Sequence, residues 1–351
     1  MPQNWAAQPP RRVFDCVILP IRVPGPKRSN QMMRFATLAS LLLPILCAQD
    51  STPVFHATSE LVLVDVQVLN KKTGGPAPAL TARDFVLSEE GVRQEITHFS
   101  RDEFPLSVVL LFDLTESVQG VLRHLAQGAE TALAHFKPSD EVAVMVYSGH
   151  ANLVDGFTTD RMRTSRAIEK AATMSSEEPA YFNEGVYQAA MQLRQASNPS
   201  NRRAIIWLTD NLPNVPYHPD HPVHTEAEAF RVLHEEGVVV APILLKDRAW
   251  AVLGLIVEAS EASHRKDAPP GNARTYAELT GGPAVGLRGK EPEERLAQLI
   301  DELRARYTIG YRPSDPQPAG TFRHIEVKLA ASTSVRPQQW DVLARQGYYR
   351  Q

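Results

Sequence analysis

"SVVLLFDLTES", residues 107–117, runs apolar from Val108 to Phe112 and then stops at Asp113, with hydroxyls following at Thr115 and Ser117. A near-continuous apolar run is the signature of a strand covered on both faces, as in a parallel sheet sandwiched by helices. A carboxylate and two alcohols just past its end have two uses. They can cap the helix that follows, or they can present oxygens to a hard cation. Both readings stay open from this stretch alone.

Working outward, strands and helices alternate. A helical stretch over 118–136 is stopped by "KPSD", and "EVAVMVYS" (141–148) and "ANLVDGF" (151–157) read as strands. Helices are predicted over 160–174 and 183–196, a strand over "RRAIIWLTD" (202–210), a helix over 224–237 ending at Gly237, and a strand over "VVVAPILL" (238–245). "TYAELTGG" and "EPEERLAQLIDELRARY" are helical, with the short apolar "PAVGL" between them. This alternation predicts a doubly wound, mostly parallel α/β sheet. Residues 246–274 fit neither pattern and read as an insertion.

The flanks are β-rich. "ELVLVDVQVLN" (60–70) alternates Val64, Val66 and Val68 against Asp65 and Gln67; "DFVLSEEGVRQEITHFS" (84–100) reads as two strands around the turn "SEEG". After "YTIGYRP", the stretch "GTFRHIEVKLA" places Ile325, Val327 and Leu329 on one face. Neither flank is large enough to bury a face alone, so the two are expected to pair into one small sandwich with the α/β region inserted between them. The boundaries drawn are 55–104, 105–312 and 313–351.

Residues 33–48, "MRFATLASLLLPILCA", place Arg34 before an apolar stretch and a small residue at its end, the layout of a secretory signal peptide too short to span a bilayer. Residues 1–32 then read as an extension upstream of the true start, at Met32 or Met33. A lipid anchor on Cys47 is disfavoured by the bulk of Leu46. Without residues 1–48 the chain has 31 basic and 39 acidic side chains, net −8, and no cysteine. An exported chain, periplasmic or extracellular, with no transmembrane segment and no disulfide, is the expectation. The scattered basic residues exclude a nucleic-acid footprint.

In open α/β sheets the functional crevice lies beyond the carboxyl ends of the strands. There Asp113, Thr115 and Ser117 end one strand and Asp210 ends another, an oxygen-only set suited to Mg²⁺. "DLTES" (113–117) and "LTDN" (208–211), in elements of the right order over 105–311, resemble the von Willebrand factor type A domain and its metal-ion-dependent adhesion site. "VLVDVQV", "LTARDFVLSEEGVRQEITHF", "YTIGYRP" and "ARQGYY" are similar to recurring phrases of a branch found in secreted acidobacterial proteins. The resemblance implies Mg²⁺ (or Mn²⁺ or Ca²⁺) on Asp113, Thr115, Ser117 and Asp210, and a protein partner offering an acidic side chain to the ion. It implies adhesion and no catalysis. Thr115 stands where the family has Ser, and Asn211 where it has Gly. Ala180, in "EPAYFNEGV", stands where a ligand Thr is expected, with Asn183 or Glu184 as possible substitutes. "YHPDHPVHT" adds His218, His221 and His224; Pro219 and Pro222 keep the three rings from aligning on a helix, so the loop reads as partner-contacting surface. Two alternatives stand beside the adhesion reading. One is a metal-independent envelope scaffold with a decayed site, kept open by Ala180. The other is a metal-dependent hydrolase on Asp113 and Asp210, for which the sequence has no Gly-x-Ser-x-Gly elbow, phosphate-binding Gly-rich loop or His-Glu-x-x-His.

Overall fold

The computed structural model describes residues 61–101, 104–178, 180–211, 224–245, 272–287, 290–315, 317–331, 333 and 335–350. The expected upstream extension and signal peptide, residues 246–271, and His218 and His221 lie outside the described residues.

The apolar runs form a six-stranded sheet. Its strands are β5 (Leu106–Asp113), β6 (Glu141–Tyr147), β7 (Ala151–Thr158), β8 (Arg202–Thr209), β9 (Val239–Leu244) and β10 (Val285–Gly286), in the order β10-β9-β8-β5-β6-β7. β5, β6, β8, β9 and β10 run parallel to their neighbours, and β7 closes one edge antiparallel. Period-two alternation divides β5 between two cores. Val108, Leu110 and Phe112 face α1 (Glu116–Leu133), α2 (Arg161–Thr173) and α6 (Pro292–Arg304). Val109 and Leu111 face α3 (Phe182–Leu193), α4 (Glu226–Glu236) and α5 (Ala273–Thr280). Every residue of β5, β6 and β9 is buried, which is why these strands show no polar alternation in the sequence.

The helix ends follow ordinary capping chemistry. Asp160 accepts from Arg163 N–H to start α2, Thr225 and Glu228 form a reciprocal capping box on α4, and Asn272 caps α5. Gly281 ends α5 at φ 75°, and a Cβ there would lie 2.4 Å from the carbonyl carbon of Ala344, so only glycine fits.

The flanking segments build two four-stranded antiparallel sheets. One has the order β13-β1-β11-β4, from β1 (Val62–Asn70), β4 (Ile96–Ser100), β11 (Tyr307–Tyr311) and β13 (Trp340–Ala344). The other, β14-β12-β2-β3, uses β2 (Phe85–Glu89), β3 (Val92–Gln94), β12 (Phe322–Leu329) and β14 (Gly347–Tyr349). Val64, Val66, Phe85, Leu87, Ile309 and Val327 share one core between the sheets. Strands from both ends of the chain interleave: β1 pairs with β11 and β13, and β2 pairs with β12.

Two readings need correction. β11 bonds β1 and β4 and no strand of the parallel sheet, so residues 307–311 belong to the sandwich and not to the 105–312 α/β span. The "DFVLSEEGVRQEITHFS" stretch holds three strands. Glu90 and Gly91 turn at φ 48° and 77°, and Glu95 then separates β3 and β4 into different sheets.

Candidate metal site at the carboxyl edge of the parallel sheet

Parallel register sets Asp113 beside Tyr147 and Phe112 beside Leu208, so Thr209 and Asp210 emerge next to Asp113 at the same edge. Both carboxylates are buried, Asp113 at 0% and Asp210 at 1% exposure. Asp113 Oδ1 accepts from Thr115 N–H at 2.9 Å, and Oδ2 accepts from Tyr147 O–H at 3.0 Å and Thr209 O–H at 3.2 Å. The Tyr147 hydroxyl is itself fixed by Trp207 Nε1–H at 3.0 Å. All of these donors are neutral. Burial, opposed by the Thr115 N–H and reinforced by the charge on Asp210, pushes the Asp113 carboxyl up to about 6.

The two hydroxyls are decisive. Thr115 is the N-cap of α1, yet its side chain makes no capping hydrogen bond. Ser117, in the first turn of α1, donates its hydroxyl to Asp210 Oδ2, and Thr115 Oγ1 lies 3.4 Å from Ser117 Oγ. The helix-cap explanation therefore fails for both alcohols. It survives for Asp113, which holds the turn through Thr115 N–H. Asn211 occupies the left-handed region at φ 57°, as its replacement of glycine requires, and its side chain accepts from Ala273 N–H at 2.9 Å, tying this edge to α5.

Two carboxylates and two hydroxyls thus converge, an all-oxygen donor set that suits a hard divalent cation, and the raised Asp113 is the group such a charge would relieve. Position 180 adds no hydroxyl: Ala180 is buried at 7% exposure with Tyr147, Phe182 and Trp207 in the apolar cluster on that face. Its suggested substitutes are engaged elsewhere. Asn183 Oδ1 accepts from Tyr276 O–H at 2.7 Å. Glu184 Oε2 accepts from the backbone N–H of His224 at 3.1 Å and pairs with His224 Nδ1 at 2.7 Å, while Oε1 accepts from Gln188 at 2.9 Å. Burial opposes charge on Glu184, but these hydrogen bonds outweigh it and hold the carboxyl below its ordinary range. The His224 ring stacks on Tyr187 at 3.5 Å.

The alignment of motifs misses Tyr147 and Thr209, the two hydroxyls that orient Asp113. A usable signal was present, since Tyr147 and Thr209 are polar ends of otherwise apolar strands. Gly185, in the first turn of α3, seats directly on Tyr147: a Cβ there would lie 2.7 Å from the ring.

Residues 108–212 match the family model of the von Willebrand factor type A domain. No curated protein matches the chain. Among solved structures, an aerotolerance-related membrane protein from Bacteroides fragilis is 14% identical, covering 56% of this chain and 98% of its own, with TM-score 0.39. The von Willebrand factor domain of a type V pilus tip protein from Porphyromonas gingivalis is 11% identical, covering 57% and 96%, with TM-score 0.39. A von Willebrand factor type A protein from Catenulispora acidiphila is 11% identical, covering 83% and 75%, with TM-score 0.40. No helix among the described residues is long and apolar enough to cross a membrane. With the matched segment spanning β5 to the end of β8, and so both halves of the acidic edge, the chain contains a von Willebrand factor type A domain over this segment.

Proposed function

We propose that this chain is an exported, adhesion-type interaction module that binds a protein partner through a divalent cation held by Asp113, Thr115, Ser117 and Asp210. The observation that carries the reading is the orientation of the two hydroxyls: neither caps α1, and Ser117 turns onto Asp210. A bound Mg²⁺, Mn²⁺ or Ca²⁺ would supply charge to balance the two carboxylates and a coordination position for an acidic side chain of the partner. The chain's own part is positioning. Tyr147 and Thr209 aim the Asp113 carboxylate, the start of α1 presents the hydroxyls, and Asn211 ties the end of β8 to α5. The reading is of a binder and not an enzyme. Export is inferred from the signal-peptide layout of residues 33–48.

The test is the melting temperature of the protein in EDTA and in millimolar Mg²⁺, Mn²⁺ or Ca²⁺, repeated for Asp113→Ala. A ligand that binds only the folded state raises the transition. A rise present in the parent and absent in the variant is the expected result. Identical melting with and without metal would sink the proposal and leave the metal-independent scaffold, which the apolar burial of Ala180 favours.

A further inference from the structure

At the opposite, amino-terminal end of the parallel strands, the α/β part meets the sandwich around a cleft of about 410 Å³. That size and position are typical of small-molecule sites, which favour junctions between structural units. Its charged lining is unbalanced. Arg202, Arg203 and Arg345 face the cleft, against the acids Asp65 and Glu236. Arg202, 8% exposed, lies 3.3 Å from Asp65 and donates to the carbonyls of Arg304 and Arg306 and to Thr308. Arg203 pairs with Glu236 at 2.6 Å. Asp65 also accepts from Thr308 at 2.9 Å.

Both acids are therefore already engaged. Arg345 donates Nη2 to the carbonyl of Leu63 at 2.6 Å and has no ion pair with a carboxylate among the described residues. Asp65 attracts this guanidinium but is already bound by Arg202 and Thr308, and a ligand carboxylate is the group that a guanidinium's planar fork matches best. The accessible apolar walls of the cleft are Leu63 and Phe104.

We propose that this cleft is a binding site for a small amphipathic carboxylate, its acid group on Arg345 and its apolar body against Leu63 and Phe104. The site is separate from the acidic edge and does not depend on metal.

Benzoate is the probe, with benzyl alcohol as neutral isostere and inorganic phosphate as bare anion, titrated into the protein by ligand-observed NMR. The expected result is saturable benzoate binding, with benzyl alcohol and phosphate each at least about tenfold weaker. Arg345→Gln should weaken benzoate by about tenfold or more, and Arg345→Lys by less. Leu63 lines the cleft at 47% exposure, so Leu63→Trp can fill the space without disturbing a core and should block binding even where Arg345→Gln fails to fold. Asp113→Ala should bind benzoate as the parent does. Absence of saturable binding, equal binding of benzyl alcohol or phosphate, or benzoate affinity unchanged in Leu63→Trp or in a folded Arg345→Gln would each overturn the assignment.

Discussion

At neutral pH the Asp113 carboxylate is ionised where charge is disfavoured, walled off from water and beside a second carboxylate. Its folded pKa of about 6 lies above the ordinary 3.8, so the stability it contributes is full below about pH 3.8 and lost as pH rises through about 6. At pH 7 the metal-free protein is therefore less stable than one with a neutral group there, by up to about 3 kcal/mol. Asp113→Asn should accordingly raise stability in EDTA at pH 7 by ~1 to 3 kcal/mol in urea unfolding, while abolishing any metal-dependent rise in melting temperature. A loss of stability in EDTA would mean that the carboxylate is a structural acceptor for Tyr147 and Thr209, and that its charge serves the fold. At this scale the sequence was informative where chemistry and spacing coincide. That Asp113, Thr115, Ser117 and Asp210 emerge at one edge was legible, because strand ends and residue type together fix where those side chains emerge. Asn183 and Glu184 were not, because a helix turn decides their direction. Glu184 turns to His224, which the capping box of Thr225 and Glu228 pins beside α3.

Helix α4 shows how an element joins the two parts of the molecule. Its buried His234 packs edge-on against Phe322 of β12, at 5.2 Å between ring centroids, and lines the cleft near Arg345. Burial first, and then repulsion from Arg345, push its pKa down to about 4 from 6.5. Between those values the unfolded chain binds the proton and the folded chain does not. The contribution is thus full above about pH 6.5 and lost as pH falls toward about 4, worth about 3 kcal/mol over that window. His234→Gln cannot protonate there. Subtracting its stability from that of the parent at each pH cancels the opposite slope of Asp113, and the difference should fall by that amount between pH 7 and pH 4. A flat difference would place the ring in water. Elements of the parallel sheet were legible because full burial leaves unbroken apolar runs. β11 was ambiguous for the same reason: all five of its residues are buried, so periodicity could not say which sheet receives it. The passage from β3 to β4 was hidden too, because a one-residue change of sheet leaves no mark on a short alternating pattern.

For the whole molecule, the consequential fact is that the two parts are built from the chain in different ways. The core residues of the α/β part, from Leu106 to Leu303, lie in one continuous segment. The sandwich takes β1 to β4 from one end and β11 to β14 from the other, and no sheet of it is complete without both. An element that needs a distant segment to bury its face cannot hold structure when that segment is removed. Residues 105–306 should therefore melt cooperatively alone, retaining near-ultraviolet signals from Tyr147 and Trp207 and any metal response. The cost should be about 1 to 3 kcal/mol, from lost bonds such as that of Arg202 to Thr308. Residues 57–104 alone should show no cooperative transition, because Val64, Val66 and Leu87 would lose Ile309 and Val327 as packing partners. Truncation after Pro313 should give an intermediate case, a folded α/β part joined to strands that exchange their amides rapidly, since β2 loses β12 while β1 keeps β11. Folding of the 57–104 fragment by itself would contradict this account, because its strands would then be burying their faces without the partners on which the sandwich is argued to depend.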